Sequence, residues 1–416
     1  MVAASWIVLA AALAAAPQSA GDPSAAALQE GDRLWRLKYT GSALAAYEKA
    51  ALSPDHAREA HESIARVYFF KGWQSEGAFP GWHEQVEYRP KALDAFAEAL
   101  KLGPLSEESR RLRWQALRSL GQEAGPEPAP LSPRQDEILA EQIEKLRAEK
   151  NHAEVISAAK AFIARFPTSE RLPSIGDALI ESYQATPTTA TETIVSAIRA
   201  RIDAQPDLRA YAAATGLLLS RGALDEVAKL AVEMVPAAER FVSENIDSHR
   251  LAGKAKGALE RVRASSADLL GWVLFLKGDT AGAEPKLAEA ERLSRAQDFT
   301  NQFHMGELLL KKGDVKQARE RYLNALSLRG GQPAQQAAAK KALARIQADA
   351  NENAQGFDQW LVADLDRRRE ERRTLVLRSM VDRSVPELPL TSLSEQPLDM
   401  SKLKGKVLLY KFFASW

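Results

Sequence analysis

The stretch GELLLKKGDVKQARERYLNA, residues 306–325, decides the fold because its spacing recurs. Gly306 lies twelve residues before Ala318, which is followed by Tyr322 and Ala325. Residues 271–290, GWVLFLKGDTAGAEPKLAEA, repeat the pattern with Gly271, Ala283, Leu287 and Ala290. Residues 31–50, GDRLWRLKYTGSALAAYEKA, repeat it again with Gly31, Ala43, Tyr47 and Ala50. The copies at 271–290 and 306–325 share a turn, Lys277-Gly278-Asp279 and Lys312-Gly313-Asp314, and 35 residues separate Ala283 from Ala318. A fourth copy is interrupted. Ala65 and Tyr68 sit on its first helix, which ends near Gly72. Ala92, Phe96 and Ala99, with Pro104, sit on its second, and Trp73 to Pro90 is inserted between them.

This spacing predicts a helix hairpin. A small residue on each helix lets the two backbones approach, and the large residue four positions after the Ala is expected to fill the gap between neighbouring pairs. The turn glycine supplies a left-handed cap. One hairpin cannot bury its own apolar face, so copies must stack. The pattern resembles the tetratricopeptide repeat family over roughly half the chain. That resemblance implies a mainly α-helical solenoid that takes protein partners through its repeat array.

Between the clear copies the pattern is weaker. His152 to Pro167 and Gly222 to Pro236 read as second helices of degenerate repeats, so residues 134–349 are expected to continue the helical array begun in 24–120, with its insertion at 73–90. Residues 121–133, GQEAGPEPAPLSP, are too rich in Pro and Gly for helix and read as a linker. Residues 350–379 read as a helical connector. Its charge run, Asp366 to Arg373, mixes signs at helical spacing and is expected on a solvated face.

Composition narrows the function classes. The 416 residues carry 56 Lys plus Arg against 55 Asp plus Glu, so no electrostatic footprint for nucleic acid is expected. There is no cysteine, which removes thiolate metal sites and a cysteine nucleophile from the chain as given. His56, His61, His83, His152, His249 and His304 show no metal-ligand spacing and are expected at the surface or at caps; no metal and no cofactor is expected. The apolar run Trp6 to Ala16 is short for a bilayer span and is followed by small and polar residues, so residues 1–20 read as a secretory signal. The expectation is an exported protein of the cell envelope, with no stable membrane span after signal removal.

The tail changes character. Val385 to Leu388 is extended by its prolines. Leu390 to Leu393 and Gln396 to Leu398 read as short strands, and Lys406 to Phe413 as a buried strand. Residues 380–416 resemble the opening of the periplasmic thioredoxin-like reductases of the TlpA and ResA type. Leu403-Lys404-Gly405-Lys406 precedes the central strand, and Phe412, Ala414, Ser415 and Trp416 match the family's Phe-x-Ala-Ser-Trp. The resemblance implies the start of an α/β thioredoxin-like fold and a Cys-x-x-Cys immediately after Trp416. The activity implied is thiol–disulfide exchange, with no catalytic residue inside the chain as given. Three readings of the next codon stand open: a selenocysteine UGA, a nonsense stop, or a fragment. The alternative function is a non-catalytic repeat scaffold. Within the insertion, Trp73, Phe79, Trp82 and Tyr88 are candidate partner anchors, or plugs between the helices they separate.

Overall fold

The computed structural model describes residues 22–71, 85–186, 188–245, 249–328, 330–349 and 356–379. Every regular element among the described residues is helical. The signal-like run and residues 380–416, with their expected strands, lie outside them.

The first block contains α1 (Pro23–Arg36), α2 (Thr40–Ala50), α3 (Ala57–Phe70), α4 (Gln85–Leu102) and α5 (Glu107–Ser119), each packed on the next. The hairpin signature takes physical form here. A Cβ built on Gly31 would lie 2.5 Å from the Tyr47 ring. The large residue therefore covers the glycine of its own hairpin. It also reaches the next hairpin, as the spacing suggests: Leu287 clusters with Met305 and Leu308 of the following pair. The Tyr47 hydroxyl donates to Asp32 at 2.7 Å, which satisfies its polar end inside the core. The interrupted copy begins its second helix at Gln85, so residues 85–90 belong to the helix and not to the insertion; Pro90 lies inside it.

The second block runs through α6 (Gln135–Ala148), α7 (His152–Arg165), α8 (Leu172–Gln184), α9 (Thr191–Ala204), α10 (Leu208–Ser220) and α11 (Leu224–Asn245). Helix α11 continues past Pro236, where the sequence had suggested an end. Its apolar stripe of Val227, Leu230, Ala231, Met234, Ala238 and Phe241 is buried along its whole length, and that packing outweighs the lost backbone donor. Arg201 is the polar centre of this block. It is buried and donates to Asp177 at 2.7 Å, to Asp207 at 2.7 Å and to the Gln205 carbonyl at 2.8 Å.

The array continues through α12 (His249–Leu276), α13 (Thr280–Ser294), α14 (Phe299–Lys311), α15 (Val315–Ser327), α16 (Pro333–Asp349) and α17 (Phe357–Ser379). The two Lys-Gly-Asp turns are built alike. Gly278 and Gly313 take φ of +89° and +83°, and each following Asp caps the next helix by accepting from a backbone N–H, Gly282 at 2.8 Å and Gln317 at 3.0 Å. His304 is not a surface histidine. It is buried, 2.9 Å from Asp268, with its ring stacked 3.9 Å from Trp272. The charge run on α17 is not simply solvated either. Arg368 donates to Glu320 and Asn324, and Arg372 to the Ser327 carbonyl, so two arginines four apart seat this helix on α15.

Residues 120–134 carry no helix, and α5 and α6 do not form a packed pair. The apolar core of the first block ends at Ala116, and that of the second starts at Ala140. The blocks meet elsewhere. The N-terminus of α2 sits on the C-terminus of α11, about 200 residues further along the chain. No helix among the described residues is long and apolar enough to cross a membrane.

Candidate functional site

Folding the first block onto the second creates a polar cleft. One wall is Asp32, Trp35 and Arg36 of α1 with Arg66 of α3. The other is Arg134 and Asp136 at the start of α6, with the turn Arg165 to Glu170 after α7. Its volume is about 330 Å³. A second hollow of about 390 Å³ shares Asp32 and Arg66 and runs on to Arg58, Glu62 and Ser109.

The helical period places these residues. Asp32, Trp35 and Arg36 are three to four apart on α1 and share a face. Trp35 is buried and is the junction of the site. Its indole N–H donates to Glu170 at 3.0 Å, tying one wall to the other. Lys38 lies over its ring at 4.5 Å and Arg66 at 5.8 Å, both within cation–π range. Lys38 takes a left-handed φ of +62° where the chain leaves α1. Burial holds its ammonium below the usual lysine range, against the opposing pull of Glu170.

Charge in the cleft is unevenly compensated. Each carboxylate already has donors, several of them neutral. Asp32 accepts from Tyr47 at 2.7 Å and from Arg66 at 3.4 Å. Asp136 accepts from Ser169 at 2.6 Å and from Arg134 at 3.2 Å. Glu170 accepts from Trp35. In the adjoining hollow, Glu62 accepts from Ser109 at 2.6 Å and from Arg58 at 3.2 Å. Four arginines, Arg36, Arg66, Arg134 and Arg165, face three carboxylates, Asp32, Asp136 and Glu170. Arg36 and Arg165 have no ion pair among the described residues, and the buried Nε of Arg66 has no hydrogen-bond partner among them. An anion entering here meets free guanidinium donors beside an aromatic wall.

Of the anchors suggested by the sequence, Trp73, Phe79 and Trp82 lie outside the described residues. Tyr88 is described. It is buried and stacks on Tyr68 at 6.3 Å, inside the helix pair. Phe412, Ala414, Ser415 and Trp416 also lie outside. The cleft residues were not singled out from the sequence. The signal present was the cationic run around one tryptophan in LWRLK, residues 34–38. No group of three or more His, Asp or Glu side chains among the described residues is placed to hold a metal ion.

Repeated hairpins, each with a glycine under the large residue sixteen positions later, define a tetratricopeptide-like helical repeat protein. No family model matches the chain, and no curated protein matches it. Solved structures that align with it include three chains of low identity. BtubC (BKLC) from P. vanneervenii is 17% identical over 60% of this chain and 98% of its own, with a TM-score of 0.34. The TPR domain of P58(IPK) is 12% identical over 80% of this chain and 100% of its own, at 0.21. Yeast Tom70 is 14% identical over 85% of this chain and 94% of its own, also at 0.21. At these values the alignments add nothing to what the hairpin geometry itself shows.

Proposed function

We propose that this chain is a protein–protein scaffold, and that the cleft between its first two blocks docks an acidic, extended segment of a partner protein. The observation that carries this reading is the excess of cations around Trp35: Arg36, Arg66, Arg134 and Arg165 line the cleft against Asp32, Asp136 and Glu170, and Arg36 and Arg165 have no ion pair among the described residues. An acidic side chain would find charge-assisted hydrogen bonds there, and Phe166 and Pro167 on the facing turn would take the apolar part of the segment.

The test is binding of a fluorescent oligoglutamate peptide to the whole chain, followed by anisotropy. Binding should weaken as salt is raised. The double charge reversal Arg36→Glu/Arg165→Glu should abolish it, while an oligolysine peptide should not bind the parent chain. Equal binding by parent and reversed variant would overturn the reading.

A finer reading rests on the tail sequence. We propose that Leu403-Lys404-Gly405-Lys406 and Phe412 to Trp416 belong to a thioredoxin-like module, and that the scaffold presents substrates to it in the cell envelope. The support is the motif alone. Insulin reduction by the product of the full reading frame tests it, and an inert product from a sequenced frame containing no Cys-x-x-Cys or equivalent overturns it. Export is tested separately, by fractionating cells that express the tagged chain.

A further inference from the structure

The cleft has two walls on two blocks, and something must set the gap between them. Little in the chain connection does so. Residues 121–133 are mostly exposed and without helix, and α5 and α6 are not packed together. Apart from Trp35 to Glu170, the described polar ties between the blocks converge on one point, the end of α11.

There Glu244 acts as a cap borrowed from another helix. Tyr39, the residue before α2, gives its own helix no side-chain cap. Instead the Glu244 carboxylate accepts from the Ser42 N–H at 2.7 Å and from the Ser42 hydroxyl at 2.6 Å. The Thr40 hydroxyl donates to the Glu244 carbonyl at 2.7 Å. Asn245 donates to the Lys38 carbonyl at 2.9 Å, where the chain leaves α1. Arg240 lies 3.8 Å over the Tyr39 ring. The approach is close: a Cβ at Gly41 would fall 3.2 Å from the Glu244 carboxylate and 3.3 Å from its carbonyl oxygen, so Glu244 would have to give way by a few tenths of an ångström. A carboxylate at a helix N-terminus is favoured twice, by the unpaired N–H groups and by the helix dipole.

This seat lies next to the cleft in sequence and in space. Lys38 is held from the Asn245 side and also covers Trp35. Moving α2 off α11 would carry Trp35, Arg36 and Arg66 away from Arg134 and Arg165.

We infer that Glu244 is a positioning residue for the cleft: it touches no ligand, and it closes the first block onto the second so that both basic walls face one segment. The inference rests on the proposed ligand site for its consequence, but not for its geometry. A ligand that bridges both walls favours the closed arrangement, and the latch raises affinity by the same coupling.

The chain has no cysteine, so paired labels can be placed cleanly. Leu52 and Ile138 are exposed, one beyond α2 and one on α6, and serve as Leu52→Cys/Ile138→Cys. Spin-label distances should form one narrow distribution in the parent and a broad, longer one in Glu244→Ala, with helical circular dichroism unchanged. Glu244→Gln keeps an acceptor for Ser42 and should restore most of the narrow component. Oligoglutamate affinity should fall about tenfold in Glu244→Ala, within the usual range of such couplings. An unchanged distance distribution overturns the inference, as does a broadened one with unchanged affinity. If the parent binds no oligoglutamate while the distances respond as expected, the ligand reading fails and the positioning role of Glu244 stands.

Discussion

The ring of Tyr322 lies so close over Gly306 that a methyl group on that glycine would sit 2.7 Å from its Cε1 carbon. Tyr322 is fully buried and its hydroxyl donates to Glu307 at 2.8 Å, so the ring has nowhere to move. The same contact occurs between Gly31 and Tyr47, and between Gly271 and Leu287.

Gly306→Ala is therefore expected to destabilise the chain, although Ala is the better helix former. Overpacking costs about 1–3 kcal/mol, and helix propensity returns about 1 kcal/mol of it. Gly216 is the control. It lies on α10 with nothing within 4 Å of an added Cβ, so Gly216→Ala should stabilise by about 0.5–1 kcal/mol. Urea titrations of both variants measure the contrast, and equal signs would refute it.

Arg201 should be intolerant of neutral replacement. Burial pulls its guanidinium toward deprotonation, but Asp207 and Asp177 outweigh this and raise it above the usual arginine value. Arg201→Gln leaves the largely buried Asp207 uncompensated and is expected to cost about 3–5 kcal/mol. Thermal melts of the variant check this.

Alkaline titration should show ionisation and unfolding together. Burial first, and then a bonded carboxylate, pushes the phenols of Tyr47 and Tyr322 far above the tyrosine range. Burial first, and then Glu233, pushes Tyr211 up to about 12. A folded-state value above the unfolded 10.0 means that the stabilisation is complete below pH 10 and is lost as pH rises toward the folded values. Phenolate absorbance and far-UV circular dichroism should therefore change in one transition above pH 10. Ionisation of these three with the helices intact would contradict it.

The cleft wall should separate stability from binding. Arg36 has no ion pair among the described residues, so Arg36→Ala should stay within about 0.5 kcal/mol of the parent. Trp35→Phe loses the bond to Glu170 and weakens the cation–π contact with Lys38, at a cost of about 1 kcal/mol. Both variants should bind oligoglutamate less tightly. Denaturant midpoints and anisotropy together distinguish them.

Much of the fold was legible in local spacing. The interval from Gly to large residue, the Lys-Gly-Asp turns and the Pro-rich break at 121–133 each act within one hairpin or one connection, where chain geometry leaves few choices. The errors have a common cause. Pro236 looked like an end, and Asp366 to Arg373 looked solvated, because local rules cannot see an apolar stripe finding a partner or two arginines finding α15. His304 was misplaced for the same reason, since its partners Asp268 and Trp272 come from a neighbouring hairpin.

The sequence by itself determined that helices form, pair and stack, because the small residues that permit close approach recur at a fixed interval. Only the tertiary structure decided that α2, packed between α1 and α3, would also rest on α11. Arg36, Arg66 and Arg165 are scattered through the first 165 residues, and no local period brings them together. What gathers them is a polar seat at one helix end, made by Glu244 and closed across about 200 residues of chain.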